Sequence, residues 1–187
     1  WLFSNEHWLK DHSWLSFGKW RASIGTTGND QIGDYQFLNT YTTSGISYNG
    51  VIGLQPSRLF NPTFGWETNK KIETALELGF FKDRIFVTGA WYQNRSSNQL
   101  VGMPLSGTTG FTLLQANLDA TVENTGLEFT LRTSNWNTPN FSWTTSVNLT
   151  LSKNKLLRFP CLESSSYHRQ YRISQPLNIE LLCQYKG

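Results

Sequence analysis

From Lys70 to Phe80 the side chains sort cleanly into two sides. Ile72, Thr74, Leu76, Leu78 and Phe80 point one way, and Lys71, Glu73, Ala75, Glu77 and Gly79 point the other, because successive side chains of a strand face opposite directions. A helix does not accommodate this order, since Leu78 would lie opposite Ile72, Leu76 and Phe80 on its surface. Phe81-Lys82-Asp83-Arg84 then reads as a tight turn. Ile85 to Gln93 reads as the returning strand, carrying the β-favouring Ile85, Phe86, Val87, Trp91 and Tyr92. The stretch from Asn61 to Leu100 is thus centred on an antiparallel hairpin. Its second arm is less cleanly sorted, because Phe86 and Tyr92 fall on the side opposite Val87 and Trp91.

The same two-sided pattern recurs along the chain. Lys19 to Gly25 sets Trp20, Ala22 and Ile24 against Lys19, Arg21 and Ser23. Leu127, Phe129, Leu131 and Thr133 oppose Glu128, Thr130 and Arg132. Phe141 to Leu151 sets Phe141, Trp143, Thr145, Val147, Leu149 and Leu151 against Ser142, Thr144, Ser146, Asn148 and Thr150. Between these runs, Gly33 to Leu59 is read as a long loop with strand edges near Tyr35 to Tyr41, and Val101 to Ala116 as an irregular stretch broken by Gly102, Pro104, Gly107 and Gly110. Ser134 to Asn140 is read as a turn region, and the segment after Lys155 as loop. At the start, Trp1 to Phe3 reads as the end of an earlier strand, followed by a short helical turn capped near Ser4.

A chain of 187 residues with 14% aromatic and 16% charged residues, rich in Gly, Ser, Thr and Asn, suits strands and turns. The expected class is all-β. No run of eighteen apolar residues occurs, which excludes a transmembrane helix but leaves open a membrane barrel, whose strands are only half apolar. The net charge of +3 is scattered, arguing against a nucleic-acid partner. Cys161 and Cys183 show no metal-ligand spacing, so no metal is expected; two free thiols and a disulfide both fit the sequence. The chain opens on Trp1-Leu2-Phe3, without Met or a signal-peptide pattern, so either a mature end lies there or the chain is a piece.

Strands of about ten residues match the length that a tilted strand needs to cross a bilayer. Short turns at Lys82 to Arg84 and Ser134 to Asn140 fall at one end, and the long connections from Gly33, Val101 and Asn154 at the other, an asymmetry of outer-membrane barrels. Trp20, Trp66, Trp91, Tyr92, Trp136 and Trp143 are read as lying near strand ends, where interfacial girdles sit. A soluble β-sandwich also has alternating strands, so pattern alone leaves both architectures standing.

Longer motifs separate them. Ser16-Phe17-Gly18-Lys19-Trp20-Arg21-Ala22-Ser23-Ile24-Gly25-Thr26-Thr27-Gly28-Asn29, followed by Ile32-Gly33-Asp34-Tyr35, resembles the LRASYGxTGN and IGDY stretch of the SusC/RagA family of TonB-dependent outer-membrane transporters. Asn61-Pro62, Trp66-Glu67-Thr68, Lys71, Glu73 and Gly79 to Ile85 resemble that family's NPxLxWE and GFFxxRI segment. Glu123-Asn124-Thr125-Gly126-Leu127-Glu128 resembles its NxGxE strand, and Asn154-Lys155, Phe159-Pro160 and Leu162-Glu163 also fit. The chain departs from the pattern at Cys161, where Gly is expected, and at Cys183.

The resemblance implies a 22-stranded barrel filled by an N-terminal plug. It also implies a SusD-type surface lipoprotein as partner, and import of oligosaccharides or peptides with energy passed through TonB, which would contact a region missing here. About five strands are expected in residues 1–187, whereas closed single-chain barrels start at about eight, so the chain is expected to be an antiparallel slice of the barrel's later half, with long loops on one side. An open edge would leave backbone groups unsatisfied in hydrocarbon, so the slice is not expected to insert alone. A cation facing lipid at mid-membrane costs about 2–4 kcal/mol, and carboxylates less, which directs Lys71, Glu73, Glu77, Glu128 and Arg132 to the lumen. There they either hold the plug, with Glu73, Glu77 and Arg132 as its partners, or are simply hydrated. Solute contacts are expected from the loop aromatics Tyr35, Tyr41, Tyr48 and Phe111, because sugar rings stack on flat apolar faces.

Enzymatic readings find little support. Glu73 and Glu77, four residues apart on one strand face, stand roughly 13 Å apart, too far for a glycosidase pair. His7, His12 and His168 have no partnered nucleophile motif, and no Walker pattern or cofactor motif occurs. The competing binding reading is a secreted β-sandwich carbohydrate-binding module with exposed Trp and Tyr on one sheet face. The two differ in what the apolar side touches: acyl chains, or a second sheet.

Overall fold

The structure, a computed structural model, describes residues 1–9, 14–29, 38–61 and 64–182. Tyr35, His12, Pro62, Cys183 and the Ile32-Gly33-Asp34 motif lie outside the described residues. Five strands form one antiparallel sheet: β1 (Leu15–Asn29), β4 (Glu67–Phe80), β5 (Ile85–Pro104), β6 (Leu113–Thr138) and β7 (Phe141–Arg158), in that spatial order. A separate hairpin, β2 (Tyr41–Tyr48) and β3 (Val51–Pro56), projects from the connection between β1 and β4.

The two sides seen in each strand line up across the sheet, because directly opposed residues of an antiparallel pair share a face. One row across the strands reads Trp20, Leu76, Gly89, Phe129, Leu149; the next reads Ala22, Thr74, Trp91, Leu127, Leu151. All of these lie on one face. Among the described residues nothing stacks on it, and Ile24, Leu127, Phe129, Leu149 and Leu151 are exposed. A compact protein of 21.4 kDa exposes about 9,000 Å², whereas this chain exposes 14208 Å². The excess is what a single amphipathic sheet leaves without a second layer, and it removes the β-sandwich.

Connections at one end are short. Phe81 to Arg84 joins β4 to β5, with Phe81, Lys82 and Asp83 all left-handed at φ 54, 58 and 61, a conformation costing roughly 1–2 kcal/mol per residue. The turn is fastened to β1. Ser16 Oγ donates to Asp83 Oδ1 (2.7 Å) and accepts from the Asp83 amide (3.0 Å), and the Phe81 amide donates to the Trp14 carbonyl (3.0 Å). The β6 to β7 turn is only Pro139-Asn140, since β6 runs on to Thr138. That corrects the expected turn region from Ser134, because a bulge after Ser134 keeps Trp136 opposite Trp143 on the apolar face.

The other end differs from expectation in two places. Residues 41–56 are not loop but a hairpin closed by Asn49-Gly50, both at positive φ (49 and 79), as a two-residue hairpin turn demands. Val101 to Ala116 is largely strand as well: β5 reaches Pro104 and β6 begins at Leu113, leaving a 3-10 turn at Gly107–Thr109. Gly102 is tolerated in β5 because the Leu113 side chain lies over it, and Pro104 closes the strand where its missing donor matters least. At the start of the chain, Trp1 exchanges both backbone hydrogen bonds with Trp20 on the free edge of β1 (each 2.8 Å), as the end of an earlier strand would. The following turn is a 3-10 turn, Phe3–Asn5, without the side-chain cap expected of Ser4.

Trp20 and Trp91 correct the girdle expectation. They lie mid-strand, flanking Thr74, whose Oγ1 accepts from Trp20 Nε1 (2.9 Å). Trp136 and Trp143 do sit beside a turn, with Trp14 stacked on Phe80 at a ring distance of 5.9 Å at the same end.

Candidate functional site: the polar face of the sheet

The face opposite the apolar one carries the charged residues singled out in the sequence. Successive rows read Lys19, Glu77, Thr88, Thr130, Asn148; then Arg21, Ala75, Ala90, Glu128, Thr150; then Ser23, Glu73, Tyr92, Gly126, Ser152. Lys71 stands in the next row, between Gly25 and Asn94, and Arg132 lies in the row nearest the short turns.

Three of these groups partner one another. Arg21 stands opposite Ala75, and its guanidinium reaches Glu73 on one side (Nη2 to Oε1, 3.5 Å) and Glu77 on the other (Nε to Oε1, 3.4 Å). The arginine thereby covers Ala75, leaving it 2% exposed. A larger side chain at 75 would lift it. Arg21 and Glu73 are about half exposed, so the pairing contributes under about 1 kcal/mol and serves mainly to fix where the charges stand.

Beside this clamp lies an open hollow of about 640 Å³, lined by Ser23, Lys71, Glu73, Tyr92, Asn124 and Glu128. Its floor is small. The Tyr92 ring lies over Gly126, where a Cβ would come within 2.6 Å of it, which explains why Tyr92 stands on the polar side: the glycine opposite makes the room. Phe86 is placed by the same device, meeting Phe17 at a ring distance of 5.6 Å across Gly79. Among the described residues Lys71, Glu128 and Arg132 take part in no ion pair, and all three are exposed. The hollow therefore brings together the Lys71 ammonium and the Glu128 carboxylate, which the sheet leaves unmatched.

Toward the long connections the chain folds over its own polar face. Leu156, Val122 and Ala120 are buried there with Leu162, and Phe159, Tyr167, Tyr171 and Leu177 pack around them. Residues 174–177 hold this cover to β7: the Leu156 amide donates to the Gln175 carbonyl (2.9 Å), the Ser174 amide to the Leu156 carbonyl (2.8 Å), and the Leu177 amide to Asn154 Oδ1 (3.0 Å). Asn154 Nδ2 in turn donates to Asn124 Oδ1 (2.6 Å) at the hollow's rim.

Asn117 and Asn98, which sequence reasoning passed over, fasten the approach to β4. Asn117 accepts from the Gly65 amide (2.8 Å) and donates to the Gly65 carbonyl (2.7 Å), while Asn98 Nδ2 donates to the Trp66 carbonyl (2.8 Å). Asn98 occupies a bulge at φ 57, a conformation that Asn tolerates better than most residues. Neither carries a sequence signal: Asn98 falls beyond the strand read to Gln93, and Asn117 just past the irregular stretch that ends at Ala116.

The structure thus gathers Lys71, Glu73 and Glu128 around one hollow, ties Glu73 and Glu77 to Arg21, and leaves Arg132 at the short-turn end. Of the candidate solute-contacting aromatics, the described Tyr41, Tyr48 and Phe111 do not share one face or element. Tyr41 and Tyr48 are on strands rather than loop, on opposite faces of the β2–β3 hairpin and 61% and 84% exposed, and Phe111 is half-buried in the connection before β6. Cys161 is an exposed free thiol.

Comparison with known proteins gives this arrangement its family. The TonB dependent receptor-like, β-barrel family matches residues 7–166. TonB-dependent receptor P39 of Formosa agariphila is 33% identical over 157 residues, which make up 84% of this chain and 15% of that protein. TonB-dependent receptor SusC of Bacteroides thetaiotaomicron is 26% identical over 174 residues, 90% of this chain and 17% of that one. The solved RagAB peptide importer in its closed-closed state superposes with a TM-score of 0.80 at 23% identity, over 94% of this chain and 20% of that chain. The chain thus spans about a sixth of the length of the relatives it matches. Because the family match runs through every strand of the five-stranded sheet, this chain belongs to the TonB-dependent receptor β-barrel family, of the SusC/RagA type, whose members are multi-pass outer-membrane proteins.

Proposed function

We propose that residues 1–187 form part of the wall of a TonB-coupled importer, with the apolar face against acyl chains, the polar face lining the solute path and the long connections outside the cell. The observation that carries this reading is the row-by-row agreement of five strands, which leaves one exposed face apolar at mid-sheet and the other charged. Acyl chains are the one solvent that accepts such an apolar face uncovered. Further strands would satisfy the sheet edges and a plug would fill the lumen.

On this reading Lys71, Glu73, Glu128 and Arg132 meet plug or solute from the wall, and Glu77 acts with Glu73 through Arg21. Tyr41 and Tyr48, on the projecting hairpin, with Phe111, offer aromatic faces outside the cell to the solute or to a SusD-type lipoprotein, and Tyr35 belongs to the same connection. Peptide is the solute class carried by the name of one structural neighbour, the RagAB peptide importer, and oligosaccharide is the other class that the SusC/RagA resemblance implies.

The test uses the full-length protein in its own outer membrane. Glu128→Cys should react with a membrane-impermeant maleimide and Leu149→Cys should not. After labelling, growth on maltooligosaccharides or on a casein digest should fall for the first variant alone, and should stop in a strain lacking TonB. Equal reactivity at both positions would contradict the face assignment.

A further inference from the structure

The apolar face is not uniformly convex. Gly89 sits at its centre, where an added Cβ would meet nothing within 4 Å, while its row neighbours Leu76 and Phe129 and the adjacent Trp91 stand out around it. The result is a hollow of about 400 Å³ lined by Trp20, Leu76, Gly89, Trp91, Phe129 and Leu149. A strand facing fluid hydrocarbon has no need of such a gap, and Ala, Val or Leu would serve better as strand formers.

The same face changes character directly outward of the hollow. On β7, Leu149 and Leu151 are followed on the same side by Lys153 and Lys155, and on β5, Gly89 and Trp91 by Gln93 and Arg95. Lys70 and Glu123 share the row of Arg95 and Lys155. Glu123 is already matched, accepting from Arg95 Nε (2.5 Å) and Gln93 Nε2 (2.6 Å). Lys70, Lys153 and Lys155 are exposed and, among the described residues, in no ion pair. Two residues of strand, about 7 Å, separate Leu151 from Lys153.

An apolar hollow capped on its outer side by unmatched ammonium groups is complementary to one kind of molecule, with an acyl chain below and an anionic headgroup above. We infer that this face holds an outer-leaflet lipid whose phosphate headgroup carries net negative charge, one acyl chain lying in the Gly89 hollow and the phosphate between Lys153 and Lys155. The site rests on the face assignment proposed above. It differs from ordinary interfacial lysines, which reach headgroups of any lipid, in requiring the hollow and the lysines together.

Native mass spectrometry of the full-length importer, released from nanodiscs of equimolar phosphatidylglycerol and phosphatidylcholine, provides the test. Wild type should retain phosphatidylglycerol in preference to phosphatidylcholine. Lys153→Gln and Lys155→Gln should each cut that retention about fivefold, the effect of about 1 kcal/mol per basic residue near an anionic surface. Gly89→Phe should abolish it by filling the hollow, and Lys19→Gln on the polar face should leave it unchanged. The lysine variants alter exposed positions only, so they report even where Gly89→Phe fails to assemble. Equal retention of the two lipids, loss in the lysine variants with retention intact in an assembled Gly89→Phe, or a dimer that Gly89→Phe dissociates without changing lipid retention would each overturn the inference. A brominated acyl chain that fails to quench a bimane label at Leu149→Cys would overturn the face assignment itself; quenching without lipid preference would overturn only the site.

Discussion

On the apolar face, Leu76, Phe129 and Leu149 lie open with none of the described residues above them, whereas on the polar face Leu156, Val122 and Ala120 are closed over by residues 159–178 of the same chain. Both regions are rich in leucine, valine and phenylalanine, yet only one is covered. Water drives burial and hydrocarbon does not, since lipid tails are as apolar as leucine. On the proposed reading, the chain builds its small conventional core where a wet lumen meets the outside, and leaves its larger apolar surface bare where acyl chains take the place of a second layer.

The sharpest way to break that contrast is to put a charge on each face at neighbouring positions of β6. In the full-length protein Leu131→Arg should cost about 2–4 kcal/mol and block assembly into the outer membrane, while Thr130→Arg, one residue away on the other face, should assemble normally. Heat-modifiable migration on gels reads both. A smaller effect is expected from Leu156→Ala, which empties a fully buried position under the cover; about 2 kcal/mol of local stability should be lost, visible as faster amide exchange confined to residues 154–177. Asn117→Ala removes the three hydrogen bonds that Asn117 makes to the Gly65 and Asn98 backbone. It should loosen the Phe64 to Trp66 segment by about 1–2 kcal/mol, read as new protease cleavage there with the barrel intact. The smallest effect belongs to Arg21→Gln, since exposed pairs contribute under about 1 kcal/mol. Thermal unfolding should barely move, and a membrane-impermeant reagent should reach Ala75→Cys faster in that background.

The faces themselves were legible because a period of two cannot be kept over ten residues by accident of composition. Ile72 to Phe80 and Phe141 to Leu151 needed only their own order to be assigned. Phe86 and Tyr92 disturbed the pattern because the room for them is made by Gly79 and Gly126 on neighbouring strands, which no single strand reveals. The β2–β3 hairpin carried a strong local signal in Asn49-Gly50, but its alternation is broken by a register shift between Thr43 and Ser47, so the strands on either side did not read as strands. The outer halves of β5 and β6 were hidden by Gly102 and Pro104, residues that usually mark loops and are accommodated here by Leu113 and by the strand's end. The polar site was legible as a set of charges and not as an arrangement. That Glu73 and Glu77 share Arg21, while Glu128 and Lys71 stand unmatched across a hollow, follows from inter-strand register.

The central claim is that β6 crosses a bilayer with its odd-numbered residues from Leu127 to Thr133 in lipid and the even-numbered residues between them in the lumen. A nitroxide scan from Leu127 to Arg132 of the full-length protein in bilayers measures this directly. Accessibility to oxygen should peak at Leu127, Phe129 and Leu131, and accessibility to a water-soluble nickel chelate at Glu128, Thr130 and Arg132. Low accessibility to both reagents at the odd-numbered positions would mean that protein, not lipid, covers the apolar face, and would contradict the account.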